Sequence, residues 1–445
     1  MKTVLTRLET ASSSDAPAAG FNGAVKDPRL WLSAVILAAF AVRAMFLVRP
    51  GSRWAFSDDS GYYLELARGF LHGCGFAPFS AYCGPPEVLR LPGYPLFLIP
   101  FAGHFRLTVA VQALLGALTC YLAAKMAGKK RGAIAALIAA GLVAFDLPTI
   151  LVTKELVSEA LFQCMAFAAI FACFEGLGIL AAGLLGLCIF IRPVGLAIIP
   201  AGVLILCVKR NWKVGFAVLG VLSVLVLTWA LRNDRQIGIF NFTIEGAANL
   251  FWFTAPGVIA HHDGVSPAAV EESLNHALDA HLGLIKSYKP SLIWGPAGTP
   301  AGSRLMLARA IETIRDYPLD TALVTLEGFA QLAFEPYQLE TGWQGFITNK
   351  DIVALVKRAC AIMQTALLVL LWSGVVLALI KRPEDRDGWL LLCAALVLLL
   401  AAAPFPGNIN VRFRTPAIPF LSVLAGMGWA SAVLPHHVRG RIDET

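Results

Sequence analysis

Charged residues stand at the ends of several apolar segments of this sequence, where both proton transfer and anion binding are feasible. Asp58 with Asp59 and Glu155 with Glu159 form two carboxylate pairs. Carboxylates accept and hold protons, and the planar guanidinium group of arginine binds phosphate through two parallel hydrogen bonds. If the fold gathers these segment ends, they form a site that binds an anion and transfers protons. The arginines at comparable positions are Arg192, Arg232, Arg412 and Arg414.

The elements that must position these residues are membrane helices. Of the 445 residues, 57% are hydrophobic and only 15% are charged, whereas soluble domains carry roughly 25% charged residues. This composition excludes a soluble enzyme and a disordered chain, and it predicts an integral membrane protein. The net charge of +7 comes from short basic clusters between apolar runs, with no basic stripe of the kind that binds nucleic acid.

Ten apolar segments approach the roughly 20 residues that a helix needs to cross a bilayer. With the N-terminus in the cytoplasm, the basic clusters around Lys129, Lys209, Lys381 and Arg439 all fall on the cytoplasmic side, as the positive-inside rule requires. Both termini are then cytoplasmic, and the charged segment ends face outward. The predicted segments are 30–49, 106–127, 132–148, 156–174, 177–191, 194–208, 213–231, 359–380, 388–403 and 416–434.

These segments divide the chain into four regions. A folded extracytoplasmic domain is predicted in the third region, because it has polar helical patterns and is too long for an ordinary linker. The regions are a polar cytoplasmic tail at 1–29, a membrane module at 30–232 with a catalytic first outer loop at 50–105, the extracytoplasmic domain at 233–357, and C-terminal membrane helices with a short cytoplasmic tail at 358–445.

Two of the nine cysteines differ from the others. Seven lie in apolar runs, where cysteine acts as a small hydrophobic residue. Cys74 and Cys83 instead share the polar first outer loop. An oxidising compartment would allow a disulfide between them.

Charges that the topology does not explain favour a functional site. Arg43 lies inside the first segment, and ionisable groups at membrane depth are costly unless they face the protein interior, a partner or a pathway. For any single arginine, the alternative of reaching toward the interface or capping a helix stays open. The convergence of the whole set on one side favours the site.

The first outer loop reads SDDSGYYLELARGFLHGCGF and then PPEVLRLPGYPLFLIPF. Here the chain resembles the bacterial GT-C glycosyltransferases that use polyprenyl-phosphate sugars, the group of mannosyl-, aminoarabinosyl- and galacturonosyl-transferase relatives. Their loop has an Asp, a Tyr four residues later, a Gly-rich turn and an Arg/Lys-Pro-x-Tyr-Pro run. Asp59, Tyr63, Arg90 and Tyr94 fit these places. Two adjacent aspartates, Asp58 and Asp59, stand where one is usual, so which of them is catalytic stays open. The register of the match favours Asp59.

Later stretches match the same group in order. Arg43 fits an arginine late in the first helix, and Glu159 in SEALF fits an acidic residue at the start of the fourth. Arg192 in IFIRPVG resembles the group's Arg-Pro turn, Arg232 in TWALRND its Trp-x-x-Arg-Asn stretch, and Arg412 in NVRFRTP its Arg-x-x-x-Pro run.

The resemblance implies an all-α, GT-C-like bundle of about ten transmembrane helices with amphipathic helices in the outer loops and a small extracytoplasmic domain. It implies a multi-pass protein of the bacterial inner (plasma) membrane whose active site faces the periplasm or the exterior. The expected reaction moves a sugar from a polyprenyl-phosphate donor to a cell-envelope glycan or lipid-linked acceptor. Membrane lipids are expected partners, and nucleic acid is not.

The hypothesis is direct displacement with inversion at the anomeric carbon. Asp59 would be the general base, and Glu159 or Asp58 would orient partners. Asp58 or Asp59 could instead cap the following helix, since aspartate is a strong N-cap, and one can cap while the other reacts. The expected phosphate ligands are Arg232, Arg412, Arg192 and Arg90, and further candidate site residues are Arg43, Tyr63, Tyr94 and Arg414.

Neither a metal site nor another function class is favoured. His261, His262 and Asp263 lack the spacing of a tetrahedral site, so no metal ligands are predicted. Paired aspartates can bind Mg²⁺ or Ca²⁺ through oxygen, which leaves a divalent cation open. A lipid or saccharide transporter would need charges along a path through the bilayer, and a non-catalytic assembly partner would not need the intact set of aspartates and arginines.

Overall fold

The computed structural model describes residues 27–47, 58–102, 104–282, 299–337, 350–405 and 408–433. Within these ranges the regular elements are helices, and the only β-type pairing is an isolated bridge between Phe79 and Cys83. The predicted all-α class is therefore confirmed. In chain order the helices are α1 Pro28–Ala44, α2 Asp58–Leu71, α3 Gly93–Leu98, α4 Phe105–Phe145, α5 Leu147–Leu151, α6 Glu159–Phe174, α7 Gly178–Ile191, α8 Gly195–Lys209, α9 Trp212–Ile237, α10 Glu245–Asn249, α11 Ala255–Asp263, α12 Pro267–His281, α13 Pro300–Asp316, α14 Pro318–Phe334, α15 Lys350–Lys381, α16 Arg386–Ala402 and α17 Ile418–Val433.

The apolar helices make this a multi-pass membrane protein. By length and hydropathy, four described helices can cross a bilayer: α1 with its 3₁₀ extension to Leu47, α4, α9 and α15. Helices α6, α7, α8 and α17 are also apolar but shorter. Each of the ten predicted segments corresponds to one of these helices, to α16, or to one arm of α4.

Helix α4 combines two predicted segments. Its backbone leaves helical geometry at Arg131 and Gly132, and Gly132 has φ +76°. Glycine adopts this left-handed conformation without the clash that a Cβ atom would cause. The break separates the two arms, which correspond to the predicted segments 106–127 and 132–148.

Helix α17 lies at the centre of the bundle, against α4 and α15. Small residues permit this close approach: a Cβ atom on Gly428 would lie 1.9 Å from the carbonyl oxygen of Gly374, and one on Gly426 would lie 2.5 Å from that of Ala135. Close backbone contact through small residues is how helices associate when no water drives them together.

Basic residues meet acidic partners at one end of the bundle, which we call the basic end. Lys130 pairs with Asp387, and Lys209 Nζ lies 2.7 Å from the same carboxylate. Lys129 pairs with Glu175 at 2.8 Å. Two of the predicted basic clusters therefore lie on the same side of the protein.

At the other end, the helices after α9 pack against the first outer loop. Val88 and Leu89 of that loop share a hydrophobic cluster with Ile244, Phe251 and Met306. A disulfide joins Cys74 to Cys83 in the same loop. This end of the molecule, where α7 ends and α8 begins, carries the candidate site.

Candidate active site

A cavity of about 450 Å³ lies where the first outer loop, the α7–α8 turn and the 3₁₀ segment Asn408–Arg414 meet. Its lining combines charged side chains with apolar ones including Leu196, Phe253 and Phe405, which we call the apolar wall. A cavity with both kinds of lining fits a ligand with an anionic head and an apolar tail. The ionisable residues that line it are Asp59, Tyr63, Arg90, Glu159, Arg192, Glu245 and Arg412.

Four of these residues come together because they stand at the ends of helices. Asp59 is the second residue of α2, and Glu159 and Glu245 are the first residues of α6 and α10. Arg192 caps the end of α7 in an extended conformation, just before Pro193. A proline cannot continue the preceding helix regularly, so the chain turns here and the arginine side chain enters the cavity.

Asp59 is held among arginines. Arg90 Nη2 donates a hydrogen bond to Asp59 Oδ1 at 2.5 Å, and Arg412 Nη2 lies 3.9 Å from Oδ2. Burial by itself would raise the pKa of Asp59, but the charges of Arg90, Arg412 and Arg192 outweigh it and hold the pKa below its ordinary value. The carboxylate is therefore ionised at neutral pH, which is the state a proton acceptor needs.

Arg90 is fixed by a turn that involves Glu87. Glu87 Oε1 accepts hydrogen bonds from the backbone N–H groups of Leu89 at 2.6 Å and Arg90 at 2.7 Å. Tyr62 donates a hydrogen bond to the other oxygen of Glu87. Glu87 was not among the residues predicted from the sequence, although it lies three residues before Arg90 in the stretch that resembles the GT-C loop.

Glu159 and Arg192 form the second ion pair of the cavity. Arg192 Nη1 lies 3.0 Å from Glu159 Oε1 and donates a hydrogen bond to Ser158 Oγ at 3.0 Å. The Glu159 side chain is only 4% exposed. This pairing suits Glu159 for orienting Arg192 better than for accepting a proton from a ligand.

Arg412 has the weakest pairing of the three cavity arginines. Its closest carboxylate contacts are 3.7 Å to Glu159 and 3.9 Å to Asp59. Among the described residues, its Nε has no hydrogen-bond partner. The Arg412 guanidinium group can therefore bind an anionic ligand without breaking a short ion pair.

Arg232 lies elsewhere. It donates hydrogen bonds to the carbonyl oxygens of Glu87 and Phe76, and it stacks on the rings of Phe76 and Trp229. It borders a second cavity of about 480 Å³ that also contains Cys74. The structure thus does not bring Arg232 together with the other predicted phosphate ligands, because its guanidinium group holds the backbone of the first outer loop.

Arg43 and Arg414 are also bound to backbone carbonyl groups. Arg43 is fully buried and donates to the carbonyl oxygens of Ala39, Val143 and Ala144 at 3.0 to 3.1 Å. Arg414 donates to the carbonyl oxygen of Glu335 at 2.5 Å. Neither arginine lines the cavity.

The two predicted tyrosines differ in position. Tyr63 lines the cavity, and its ring packs edge-on against Tyr94 with centroids 4.9 Å apart. Tyr94 lies behind it, with its hydroxyl donating to Gln112 Oε1 at 2.7 Å. Tyr94 therefore supports the cavity wall without reaching the ligand space. Asp58 begins α2, but its side chain lies outside the described residues.

Glu245 is a cavity residue that the sequence analysis missed. Its Oε1 accepts a hydrogen bond from Arg90 Nη1 at 2.7 Å. It is one of many acidic residues in the region after α9, and nothing local distinguishes it from the exposed ones. Only its contact with Arg90, 155 positions away in sequence, identifies it.

The described part of the chain contains no group of three or more His, Cys, Asp or Glu side chains arranged to hold a metal ion. In the cavity, Asp59 and Glu159 already face guanidinium groups. A cation at Asp59 would have to share this carboxylate with Arg90. The residues present thus fit an anionic ligand better than a metal.

Comparison with known proteins found no matching family model and no matching curated sequence. Among solved structures, the oligosaccharyltransferase AglB from Archaeoglobus fulgidus, in complex with an inhibitory peptide and a dolichol-phosphate, is 14% identical with a TM-score of 0.45. The comparison covers 91% of this chain and 50% of AglB, so this chain spans about half of its length. ArnT from Cupriavidus metallidurans, bound to undecaprenyl phosphate, is 15% identical with a TM-score of 0.37, covering 93% of this chain and 78% of ArnT.

Proposed function

We propose that this protein is a membrane glycosyltransferase that moves a sugar from a polyprenyl-phosphate donor to a cell-envelope glycan or lipid-linked acceptor. One observation carries the proposal: an ionised carboxylate, Asp59, and a weakly paired arginine, Arg412, line the same cavity beside an apolar wall. This reaction requires a base, a group that binds the anionic phosphate and an apolar surface for the lipid.

In the proposed reaction, Asp59 accepts the proton of the acceptor hydroxyl group. The acceptor oxygen then forms a bond to the anomeric carbon while the bond from that carbon to the phosphate oxygen breaks. The phosphate leaves with the bonding electrons, and attack from the opposite side inverts the anomeric carbon. Arg412 and Arg192 stabilise the growing negative charge, because charge-assisted hydrogen bonds to phosphate are stronger than neutral ones.

The apolar wall would hold the first isoprene units of the donor. Val194, Leu196, Phe253 and Phe405 line the cavity beside the charged residues. Burying apolar surface contributes roughly 25 cal/mol per Å². A lipid-linked sugar would therefore bind more tightly than the same sugar phosphate without its lipid.

We further propose that the cavity faces the periplasm of a bacterial inner membrane and that both termini are cytoplasmic. The basic end lies at the far end of α8, since Lys209 ends this helix and Gly195 begins it next to the cavity. Basic loops are enriched on the cytoplasmic side. The Cys74–Cys83 disulfide belongs to the cavity end, and disulfides persist in oxidising compartments.

The test uses the purified full chain in lipid nanodiscs with radiolabelled undecaprenyl-phosphate sugars and an envelope glycolipid fraction as acceptor. We expect free undecaprenyl phosphate to form together with labelled glycolipid. If undecaprenyl-phosphate sugars bind but no sugar is transferred, and the protein moves them across liposome membranes, the enzyme proposal is wrong and the transporter alternative replaces it.

A further inference from the structure

Glu245 lies on the cavity wall and is joined to Asp59 through a single arginine. Arg90 donates one hydrogen bond from Nη1 to Glu245 Oε1 at 2.7 Å and another from Nη2 to Asp59 Oδ1 at 2.5 Å. The Arg90 and Glu245 side chains are 10% and 12% exposed. Two carboxylates therefore share one buried positive charge.

The backbone holds Glu245 in register with this arginine. The Glu245 N–H group donates to Thr243 Oγ1 at 3.1 Å, and the Thr243 hydroxyl group donates to the carbonyl oxygen of Leu89 at 2.5 Å. Leu89 directly precedes Arg90. The start of α10 is thus linked through Thr243 to the loop that carries Arg90. This link between the two segments does not depend on the Glu245 side chain alone.

A shared guanidinium group changes the chemistry of Asp59. Charges interact more strongly in a buried site than in water, and a second carboxylate nearby makes it harder to ionise the first. Burial raises the pKa of Glu245 above its ordinary value, although the charges of Arg90 and Arg192 act to lower it and that of Asp59 raises it further. This coupling is reciprocal, so Glu245 raises the proton affinity of Asp59.

We propose that Glu245 is a positioning residue that sets the base strength of Asp59 by sharing Arg90 with it. The inference rests on the proposed role of Asp59 as the general base. When Glu245 is ionised, Arg90 stabilises two anions, and Asp59 remains basic enough to accept the acceptor proton. Without this carboxylate, Arg90 would stabilise the Asp59 anion alone, and Asp59 would be a weaker base.

Other charged and titratable groups around Asp59 contribute to the same balance. All of these groups together determine the pKa of Asp59. Removing the Glu245 charge is therefore expected to shift this pKa against the background of the other groups. The groups are Arg90 from the first outer loop, Tyr63 from α2, Glu155 and Glu159 from the start of α6, Arg192 from the α7–α8 turn, Glu245 from α10 and Arg412 from the 3₁₀ segment.

The first test measures the pH dependence of kcat/KM for sugar transfer by Glu245→Gln. We expect its acid limb to move down by about one pH unit, the lower end of the shift that a neighbouring charge causes, and its plateau to fall several-fold. Glu245→Asp, which retains the charge, should keep the acid limb near its wild-type position. Glu272→Gln is the matched control, because Glu272 is an exposed residue of α12 outside the cavity.

The second test does not require turnover. A water-soluble carbodiimide with glycinamide modifies protonated carboxyl groups, and peptide mass spectrometry gives the pH at which Asp59 is half modified. We expect this pH to fall by about one unit in Glu245→Gln and to stay unchanged in Glu272→Gln. Glu245→Met, which has similar length and needs no hydrogen-bond partner, replaces Glu245→Gln if the latter does not fold.

The two readouts separate failure of the inference from failure of the proposed function. If the wild type transfers sugar but neither the acid limb nor the modification pH moves in Glu245→Gln, the role of Glu245 is wrong and the enzyme proposal stands. If no donor is used but the modification pH moves, the coupling between Glu245 and Asp59 stands and the glycosyltransferase proposal is wrong. If Glu245→Gln and the wild type transfer sugar at different rates but share the same acid limb, Glu245 has a purely structural role.

Discussion

At the scale of single residues, the cavity separates charges that neutralise each other from charges that remain available to a ligand. Glu159 is paired with Arg192 at 3.0 Å, and Asp59 with Arg90 at 2.5 Å. Arg412 faces both carboxylates only at 3.7 and 3.9 Å. The proposed roles of base and of phosphate ligand therefore belong to different residues, and separate experiments test them.

Asp59→Asn should abolish most of the transfer. The amide cannot accept the acceptor proton, and general-base catalysis contributes roughly 10²- to 10⁴-fold, so kcat should fall at least about 100-fold. Since the pKa of Asp59 is held low, wild-type activity should persist as the pH falls to that low pKa and be lost only below it. Transfer rates are measured from pH 8 down to below the pKa of Asp59.

Asp263→Asn is the control for this change, because Asp263 is exposed and does not line the cavity. Equal transfer rates for Asp59→Asn and the wild type would show that another group is the base. Correct folding is checked by size-exclusion chromatography of the same preparations.

Arg412→Ala should weaken the binding of undecaprenyl phosphate. Hydrogen bonds to charged groups contribute about 1.5–3 kcal/mol, which predicts a loss of roughly 10- to 100-fold in affinity. Binding is measured by quenching of intrinsic fluorescence in nanodiscs. Arg309→Ala serves as the control, since Arg309 is an exposed residue of α13 paired with Glu312. Unchanged affinity in Arg412→Ala would remove Arg412 from the phosphate site.

Removal of divalent cations should leave transfer nearly unchanged. Arg90 and Arg412 already face Asp59, so a cation would compete with two fixed positive charges. We expect EDTA to change the rate less than twofold, an effect of under about 0.5 kcal/mol. A loss that Mg²⁺ or Ca²⁺ restores would instead place a cation in the mechanism.

At the scale of elements, Arg43 is explained as a link between helices. It joins α1 to the end of α4 through the carbonyl groups of Val143 and Ala144. Its side chain also lies directly over Gly116 in the first arm of α4. A Cβ atom on Gly116 would lie 2.5 Å from Arg43 Nε.

Gly116→Ala should therefore destabilise the protein by about 1–3 kcal/mol, the usual cost of overpacking a core. The new methyl group displaces Arg43, whose donors then lose their carbonyl partners. Gly141→Ala in the same helix is the control, because its Cβ atom would meet no atom within 4 Å. The melting temperature in detergent is compared, and an equal value for both variants would contradict this explanation of Arg43.

At the scale of the whole molecule, the two ends of the bundle differ in charge chemistry. Lysines meet single carboxylates at the basic end, as for Lys209 with Asp387, whereas arginines and carboxylates surround a cavity at the other end. The shared hydrophobic cluster of Val88 and Phe251 also makes the first outer loop and the region after α9 one packed unit.

The proposed orientation predicts the location of the C-terminus. A fluorescent protein fused after Thr445 should be fluorescent in a bacterial host, because it folds in the cytoplasm, and alkaline phosphatase fused there should be inactive. The reverse result would place the cavity in the cytoplasm. A matched fusion of alkaline phosphatase to a secreted protein controls for enzyme activity.

The membrane class and the positions of the helices could be predicted from local sequence patterns. A segment in lipid must satisfy its own backbone hydrogen bonds and present apolar side chains, and both requirements are local. For this reason all ten predicted segments have helical counterparts. The charged residues near the ends of these segments could be identified in the sequence for the same reason. The structure places five of them around one cavity, namely Asp59, Arg90, Glu159, Arg192 and Arg412.

Which charges meet depends instead on how the helices pack in three dimensions. Arg43, Arg232 and Arg414 have the same residue type and similar positions at helix ends or in helices, yet they bind backbone carbonyl groups. Glu245 reaches Arg90 across 155 positions. The partner of a buried charge depends on which helices pack together. Because that packing joins residues far apart in sequence, a local sequence pattern cannot predict the partner.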